Sequence, residues 1–465
     1  ILYIFFTLCY HYDVKYIHIM EKDFVIIREQ PTISTKRRLD LIDMYFNESA
    51  AAAPYLQAVN ESKYLYWDKA RFVDPIPKLT PAESWQLAHT VRRFNSQPTP
   101  IRAKNGAHFG WVRQEKVDEA QRTVDMYAGG QFLTNTPAIT TRSERQKYIA
   151  RGILEEAIAS SQLEGADTSR RYAKHMIADN IKPRNKSDWM ILNNYRTLSK
   201  IEENFVERSL SKNLLLELHQ ELTRHTILDA DSGRFRKDSD NIVVWFNEKV
   251  AHVPPNQSFV EHELDRLIEY ANDNGKFIHP LVKATVLHFW LGYLHPFTDG
   301  NGRLARSLFY WYMLKNSYWA LAYFPISTVI KRAPAQYAYA YIYAEQDSYD
   351  FTYFFNYHTE KVLEAIKEFR DYTKRTDEEN SAITKKLHSI KNLNDRQKQI
   401  IYYLISDDSH YATISSHAEL NAISRQTADK DIKGLLNLGL TFSVKQGASV
   451  LYYASDKLKT MINKE

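Results

Sequence analysis

The stretch His295-Pro296-Phe297-Thr298-Asp299-Gly300-Asn301-Gly302-Arg303-Leu304-Ala305-Arg306 gathers the residue types needed to hold and react a phosphorylated ligand. Gly300, Asn301 and Gly302 can adopt conformations that turn successive backbone N–H groups inward, and the helix expected to follow presents its positive dipole end at the same point. Arg303 and Arg306 are three residues apart and share one helix face. Cations at a helix N-terminus oppose the dipole, so two of them there imply an anion between them, such as a polyphosphate. Asp299 is an oxygen ligand beside that cradle and suits Mg2+, which uses one or two carboxylates together with phosphate oxygens and waters. His295 is the neighbouring group whose ordinary pKa lies near neutrality, so it can accept a hydroxyl proton. A lone histidine or arginine would read as a helix cap or a surface ion pair; the joint spacing favours the chemical reading.

Helix signals recur along the chain and must position this loop. Thr80-Pro81-Ala82-Glu83 combines an N-cap, a first-turn proline and a capping-box carboxylate, which predicts a helix to about Arg93. Ser143 with Gln146 opens another, with Ile149, Ile153, Leu154, Ala157 and Ile158 at helical spacing and Gly165 as terminator. Further helices are expected over Trp189 to Phe205, Lys212 to Thr226, Phe259 to Asn272, Pro280 to Leu294 and Arg303 to Leu314. Between them, Asn241-Ile-Val-Val-Trp-Phe-Asn247 reads as a short strand turning into Lys249 to Val253, a small hairpin.

The loop matches every fixed position of H-x-F-x-[DE]-G-N-G-R-x-x-R, and the chain closely resembles the Fic (Fido-domain) family on that motif. The resemblance extends from about Ala150 to Lys361. It includes His219 in a Leu-His-x-x-Leu helix, Gly233-Arg-Phe235-Arg236 before the hairpin, and His252-Val-Pro254-Pro255 after it. Ser160-Ser161-Gln162-Leu163-Glu164-Gly165 resembles the family's inhibitory motif, [ST]-x-x-x-E-[GN].

That resemblance implies a protein adenylyltransferase moving AMP from ATP, as substrate, to a Ser, Thr or Tyr hydroxyl of a target protein. His295 would be the catalytic base and Asp299 the Mg2+ ligand. Gly300, Asn301, Gly302, Arg303 and Arg306 would bind ATP, with the Asn301 side chain and the amides at the α-phosphate, Arg303 toward the β-phosphate and Arg306 toward the γ-phosphate. Glu164 would reach Arg306 and hold ATP out of line, with Ser160 on the same inhibitory helix. Ile242, Val243 and Val244 would dock the target through an exposed strand edge. Phe297 reads as a buried anchor, and Tyr337 and Tyr339 as candidates for an adenine pocket. The alternatives are a DNA-binding regulator with a silent Fic domain, or Fic-type de-AMPylation or phosphate transfer.

From Asn394 onward the pattern is helix, helix, turn, helix and strands: Asp395 to Ile405, Ser415 to Leu420, Ser424 to Leu438, and a wing over Thr441 to Tyr453 around Gln446-Gly447-Ala448. This resembles a winged helix-turn-helix, with base contacts expected from Arg425, Gln426 and Thr427. Asp429 and Asp431 offset Lys430 and Lys433, so DNA and protein partners both stay open. A homodimer is a further open partner.

The expected fold class is mainly α: a Fic-type helical domain with a small β-hairpin flap, plus a C-terminal winged-helix module. Its expected divisions are 1–19, upstream of the natural start; 20–140, an N-terminal helical region without legible chemistry; 141–370, the Fic domain, with the inhibitory helix near 144–165; 371–392, a connector; and 393–465, the winged helix-turn-helix. The formal net charge of +5, from 61 basic and 56 acidic residues, excludes an obligate nucleic-acid coat. A single cysteine, Cys9, excludes internal disulfides and cysteine-rich metal sites and agrees with a reducing, cytoplasmic setting. The apolar run Ile1 to Tyr10 is too short to span a bilayer, so no membrane partner is expected.

Overall fold

The computed structural model of the chain describes residues 29–129, 142–389, 393–405, 410–421, 423–446 and 449–463. Expectations placed on residues 1–28, including Cys9 and the segment 1–19, lie outside them, as do the side chains of Ser143 and Gln146 and the wing turn at Gly447-Ala448. The described chain is mainly α, as the sequence predicts, with three two-stranded antiparallel hairpins, two of which were expected. It divides into two compact units, residues 1–369 and 370–465.

In the first unit, α1 (Thr35–Asn47) and α2 (Pro81–Asn95) precede a hairpin, β1 (Ser96–Arg102) and β2 (His108–Val112), and then α3 (Glu115–Ala128). Thr80 caps α2 in a complete capping box with Glu83. The helices that frame the motif follow: α4 (Arg142–Leu163), α5 (Lys186–Lys200), α6 (Lys212–Thr223), α7 (Gln257–Asn272), α8 (Pro280–Leu294), α9 (Asn301–Lys315), α10 (Pro334–Gln346) and α11 (Thr352–Ser389). Asn185, Ser211 and Asn256 cap α5, α6 and α7, each side chain accepting from a first-turn amide.

Helix α8 is apolar on every side, and all its residues except Pro280 and Gly292 are buried, which makes it the core helix of the unit. α9 returns beside it, equally buried through most of its length. Phe289 and Tyr293 of α8 close on Phe109 of β2 in edge-to-face contacts, so the missed hairpin β1–β2 covers one side of that core. α4 packs on α5 and on the 3-10 turn Trp319–Tyr323. It comes close because residue 152 is glycine: a Cβ there would lie 2.1 Å from the Ala322 carbonyl oxygen and 2.6 Å from Tyr323 Cα.

The second hairpin is β3 (Val244–Phe246) with β4 (Lys249–His252). Asn247 and Glu248 both have positive φ, the requirement of a two-residue type I′ turn. Phe246 is buried against the Tyr339 ring and anchors the hairpin, while Ile242 and Val243 precede the strand.

The second unit holds α12 (Asp395–Ile405), α13 (Ile414–Leu420), α14 (Arg425–Asn437), the antiparallel pair β5 (Thr441–Gln446) and β6 (Ser449–Ala454), and α15 (Asp456–Asn463). Ser424 caps α14, and Gly439 at φ +67° follows its end. Ile401, Leu404, Ile432, Leu435, Leu440 and Leu458 form its core. Asp431 draws together Asn394, Arg396 and His417, so this carboxylate faces inward and holds α12 and α13 to α14.

Candidate active site

The loop 295–300 joins the two most buried helices, so its geometry is set by the core. His295 ends α8 in the left-handed region, at φ 47°, and its amide still donates to the Leu291 carbonyl. The Gly292 backbone favours the charged ring and so works against burial there. Nε2 is buried and has no hydrogen-bond partner among the described residues. Burial, then the charges of His252 and Arg236, push the imidazole down to about 3. The ring is therefore neutral across the physiological range, whereas the sequence alone places it near neutrality.

Two groups brace the loop. Arg236 donates through Nε to the His295 carbonyl at 2.7 Å and through Nη2 to the Pro255 carbonyl. His219 accepts from the Gly233 amide at Nδ1, 3.0 Å, so its Nε2 carries the proton donated to the Asp299 carbonyl at 2.9 Å. Burial pushes His219 down to about 4, which keeps that tautomer neutral. The Phe297 ring stacks on it at 3.8 Å and is fully buried, the anchor the sequence predicts.

The Asn301 side chain has a different task from the one expected of it. Its Oδ1 accepts from the Phe297 amide and its Nδ2 donates to the Phe297 carbonyl, both at 2.9 Å. Those two bonds staple the loop and leave the phosphate cradle to the backbone. The cradle itself is the start of α9, where Gly300 at φ +84° is the N-cap and the amides of Asn301, Gly302 and Arg303 have no intrahelical partner.

The two arginines part company. Arg303 Nη1 donates to the Leu222 carbonyl at 2.9 Å and Nη2 lies 3.6 Å from Asp299 Oδ1, while Nε and Nη2 have no hydrogen bond among the described residues. Arg306 donates from Nε to Ser160 Oγ at 2.8 Å, and from Nη2 to the Ser160 carbonyl at 3.0 Å and Glu164 Oε1 at 2.8 Å; Nη1 is unpartnered. Burial opposes the Arg306 charge, and Glu164, Tyr337 and Glu156 together hold it above its ordinary range. Glu164 also lies over the cradle: a Cβ on Gly302 would fall 2.1 Å from its Oε1. Ser160, Glu164, Gly302 and Arg306 are thus one contact set.

Asp299 is buried beside Arg303, and Lys186 Nζ lies 3.5 Å from its Oδ2. Burial alone would raise its carboxyl, but Arg303 and then Lys186 hold it below the usual carboxylate range. Among the described residues no group of three or more His, Cys, Asp or Glu side chains converges as a metal cage. A single ionised carboxylate beside an anion cradle fits Mg2+, whose other ligands are phosphate oxygens and waters.

Of the remaining predicted residues, only Val244 lies in a strand of the hairpin; Ile242 and Val243 are half-buried residues leading into it. Tyr337 is buried, its hydroxyl 2.8 Å from His288 Nε2, and Tyr339 packs on the hairpin. Sequence reasoning missed Arg236 as the brace of His295 and Glu156 as a second buried acid near Arg306. The Arg236 position was legible within Gly233 to Arg236, but its partner lies 59 residues away.

Residues 209–313 match the family model described as the Fic/DOC family. That segment of the chain is similar to the Fic/DOC family. A curated relative, the protein adenylyltransferase Fic of Nematostella vectensis, is 32% identical over 95 residues, 20% of each chain. The protein adenylyltransferase Fic of Aedes aegypti is 23% identical over 236 residues, which cover 50% of this chain and 43% of that one. The chain thus spans less than half the length of these relatives. Fic-1 (residues 134–508) of C. elegans is a solved structure with a TM-score of 0.48 and 16% identity, over 74% of this chain and 90% of that one. A Fic family protein of Desulfovibrio desulfuricans G20 gives 0.46 and 18%, over 73% and 95%. Among the described residues no helix is long and apolar enough to cross a membrane.

Proposed function

We propose that this chain is a Fic-type protein adenylyltransferase that moves AMP from ATP to a Ser, Thr or Tyr hydroxyl of a target protein and is restrained by Glu164. The observation that carries this reading is the set of buried, unpartnered nitrogens around one helix N-terminus: His295 Nε2, Arg303 Nε and Nη2, and Arg306 Nη1. Other buried side-chain atoms also lack a partner among the described residues, such as Trp85 Nε1 and Thr197 Oγ1, but here three such nitrogens sit on two guanidinium groups at an amide cradle, which calls for an anionic ligand. Curated relatives similar to part of this chain bear the protein adenylyltransferase name.

In the proposed step the target hydroxyl gives its proton to His295 Nε2 as its oxygen bonds to the α-phosphorus, and the bond from that phosphorus to the bridging oxygen breaks to release pyrophosphate. Nε2, buried and without a hydrogen-bond partner among the described residues, is the atom open to that transfer. Polyphosphate charge beside the imidazole raises its basicity from the depressed value. The first amides of α9 receive the α-phosphate charge, Arg303 the β-phosphate and Arg306 the γ-phosphate. Asp299 would hold Mg2+, which when bound supplies charge neutralisation on the phosphate oxygens. The β3–β4 hairpin, entered through Ile242 and Val243, offers the strand edge against which a target segment lies.

The C-terminal unit is read as a winged helix-turn-helix, with α13 and α14 as the helix pair and β5–β6 as the wing. Arg425 and Gln426 are exposed at the start of α14, where base contacts arise, and DNA and a second copy of the chain are its proposed partners. The cytoplasm is the proposed compartment.

The test is incubation of wild type, Glu164→Gly and Glu164→Gly/His295→Ala with α-labelled and γ-labelled ATP. Glu164→Gly is expected to incorporate α-label above wild type, and the added His295→Ala to lower that rate by about 10²- to 10⁴-fold. Incorporation of γ-label instead assigns phosphate transfer, loss of pre-attached AMP assigns de-AMPylation, and no chemistry in any variant leaves a silent domain.

A further inference from the structure

Helix α4 carries more than one acid toward Arg306. Gly152, Glu156, Ser160 and Glu164 recur every fourth residue, and Gly302, Arg306 and Tyr310 recur likewise on α9. The two stripes meet rung by rung: Glu164 over Gly302, Ser160 on Arg306, and Glu156 on Tyr310. Glu156 is 3% exposed. Its carboxylate accepts from the Tyr310 hydroxyl at 2.9 Å, from the Ser327 amide at 2.8 Å and from the Ser327 hydroxyl. The two Ser327 groups favour the ionised form, while the single Tyr310 hydroxyl proton is shared with the Phe324 carbonyl at 2.8 Å. Burial leaves the carboxyl above the usual carboxylate range, and Ser327, Arg306 and Tyr310 offset only part of that rise.

Glu156 and Arg306 lie within each other's electrostatic reach. Between them is a small cavity also lined by His288, Tyr310, Ser327 and His358, and the unpartnered Nη1 belongs to the same guanidinium.

A buried guanidinium is tolerable only with a counter-charge. Glu164 supplies it while seated over the cradle, but Glu164 must leave if a γ-phosphate is to take that place. During the exchange the guanidinium would be uncompensated, and it would turn away toward water. Glu156 is the other carboxylate acting on Arg306 among the described residues, and its three anchors prevent it from leaving. We propose that Glu156 is a positioning residue, the fixed counter-ion that keeps Arg306 aimed into the cradle whenever Glu164 is displaced. This rests on the reading of Arg306 as the γ-phosphate ligand.

The experiment is ATP and ADP binding to the full chain by calorimetry, with thermal midpoints measured in parallel. It uses Glu164→Gly alone and combined with Glu156→Gln, Ser327→Ala or Arg306→Ala. Glu156→Gln keeps size and polarity and removes the charge. It is expected to weaken ATP about tenfold while ADP stays within about twofold, because disorder at Arg306 taxes only the ligand that has a γ-phosphate. In transfer assays KM for ATP should rise, with kcat at saturating ATP changed less than about twofold. Ser327→Ala removes one anchor and should give the same ATP-selective loss at about threefold, which serves if Glu156→Gln does not fold. Equal weakening of ATP and ADP, no change, or tighter ATP would overturn the proposal and reduce Glu156 to a packing group. If Arg306→Ala discriminates ATP from ADP and Glu156→Gln does not, Glu156 alone is wrongly assigned. If Arg306→Ala fails to discriminate, or Glu164→Gly binds no ATP, the phosphate reading itself falls.

Discussion

Arg92 on one side and Arg303 with Arg306 on the other are buried arginines of the first unit that differ in one respect. Arg92 of α2 is 2% exposed, and each of its three nitrogens is used: Nε on Asn60 Oδ1, Nη1 on the Tyr353 hydroxyl, and Nη2 on the carbonyls of Val59 and Leu65. Asp347 balances its charge at 4.0 Å. Arg303 and Arg306 are as deeply buried, yet nitrogens on both have no hydrogen bond among the described residues. Burial of charge alone therefore does not separate Arg92 from the two arginines proposed to bind a ligand; completeness of hydrogen bonding does. Arg92 ties together segments distant in sequence, while the other two keep capacity in reserve.

That contrast can be broken by experiment. Arg92→Met should cost about 3–5 kcal/mol of unfolding free energy in denaturant titration, because Asp347 and two carbonyls lose a buried partner. A smaller cost would mean that full satisfaction does not mark a structural hub. A second measurement concerns pH. His295 and His358 are pushed down to about 3 and His219 to about 4, all chiefly by burial. The folded state keeps these rings neutral, whereas the unfolded chain protonates them below about pH 6.5. Each therefore lowers stability by up to about 1.4 kcal/mol per pH unit as pH falls from 6.5 toward 4, and adds nothing above it. Stability against pH for His358→Gln, compared with wild type, should lose about one such slope; parallel curves would show that the ring titrates alike in both states. The smallest effect is expected from Arg303→Met, at about 1 kcal/mol of stability, since two of its nitrogens contribute no hydrogen bond to the fold. Nucleotide affinity should collapse in the same variant. A loss matching that of Arg92→Met would remove the distinction between the two sites.

The helices were legible wherever capping and apolar periodicity agreed. Thr80 with Glu83, Ser211 and Ser424 each cap a helix within two residues of where the pattern starts it, and α8 runs from Pro280 to Leu294 as read. The hairpin β1–β2 was invisible for a local reason: Ser96–Arg102 carries Pro98 and Pro100 and alternates weakly, and prolines argue against a strand. Its place is set by Phe109 packing on α8, a contact between residues far apart in sequence. The motif revealed which residues gather but not how they divide the work. Spacing puts Arg303 and Arg306 on one helix face, and only packing sends one to Leu222 and the other to Ser160 and Glu164. Asn301 reads as a phosphate ligand by type, and its use as a loop staple depends on the turn conformation between Phe297 and Gly300.

The seat of Gly152 against the backbone of Ala322 and Tyr323 leaves α4 no room to shear along its axis or roll about it. Displacing Glu164 by withdrawing the helix would mean tearing that backbone contact apart, a slow and rare event. The remaining freedom is a swing of the buried Glu164 side chain or an unwinding of the final turn before Gly165, and local opening of the latter kind takes microseconds or longer. If Glu164 restrains the site as proposed, the strength of that restraint is the fraction of time it stays shut.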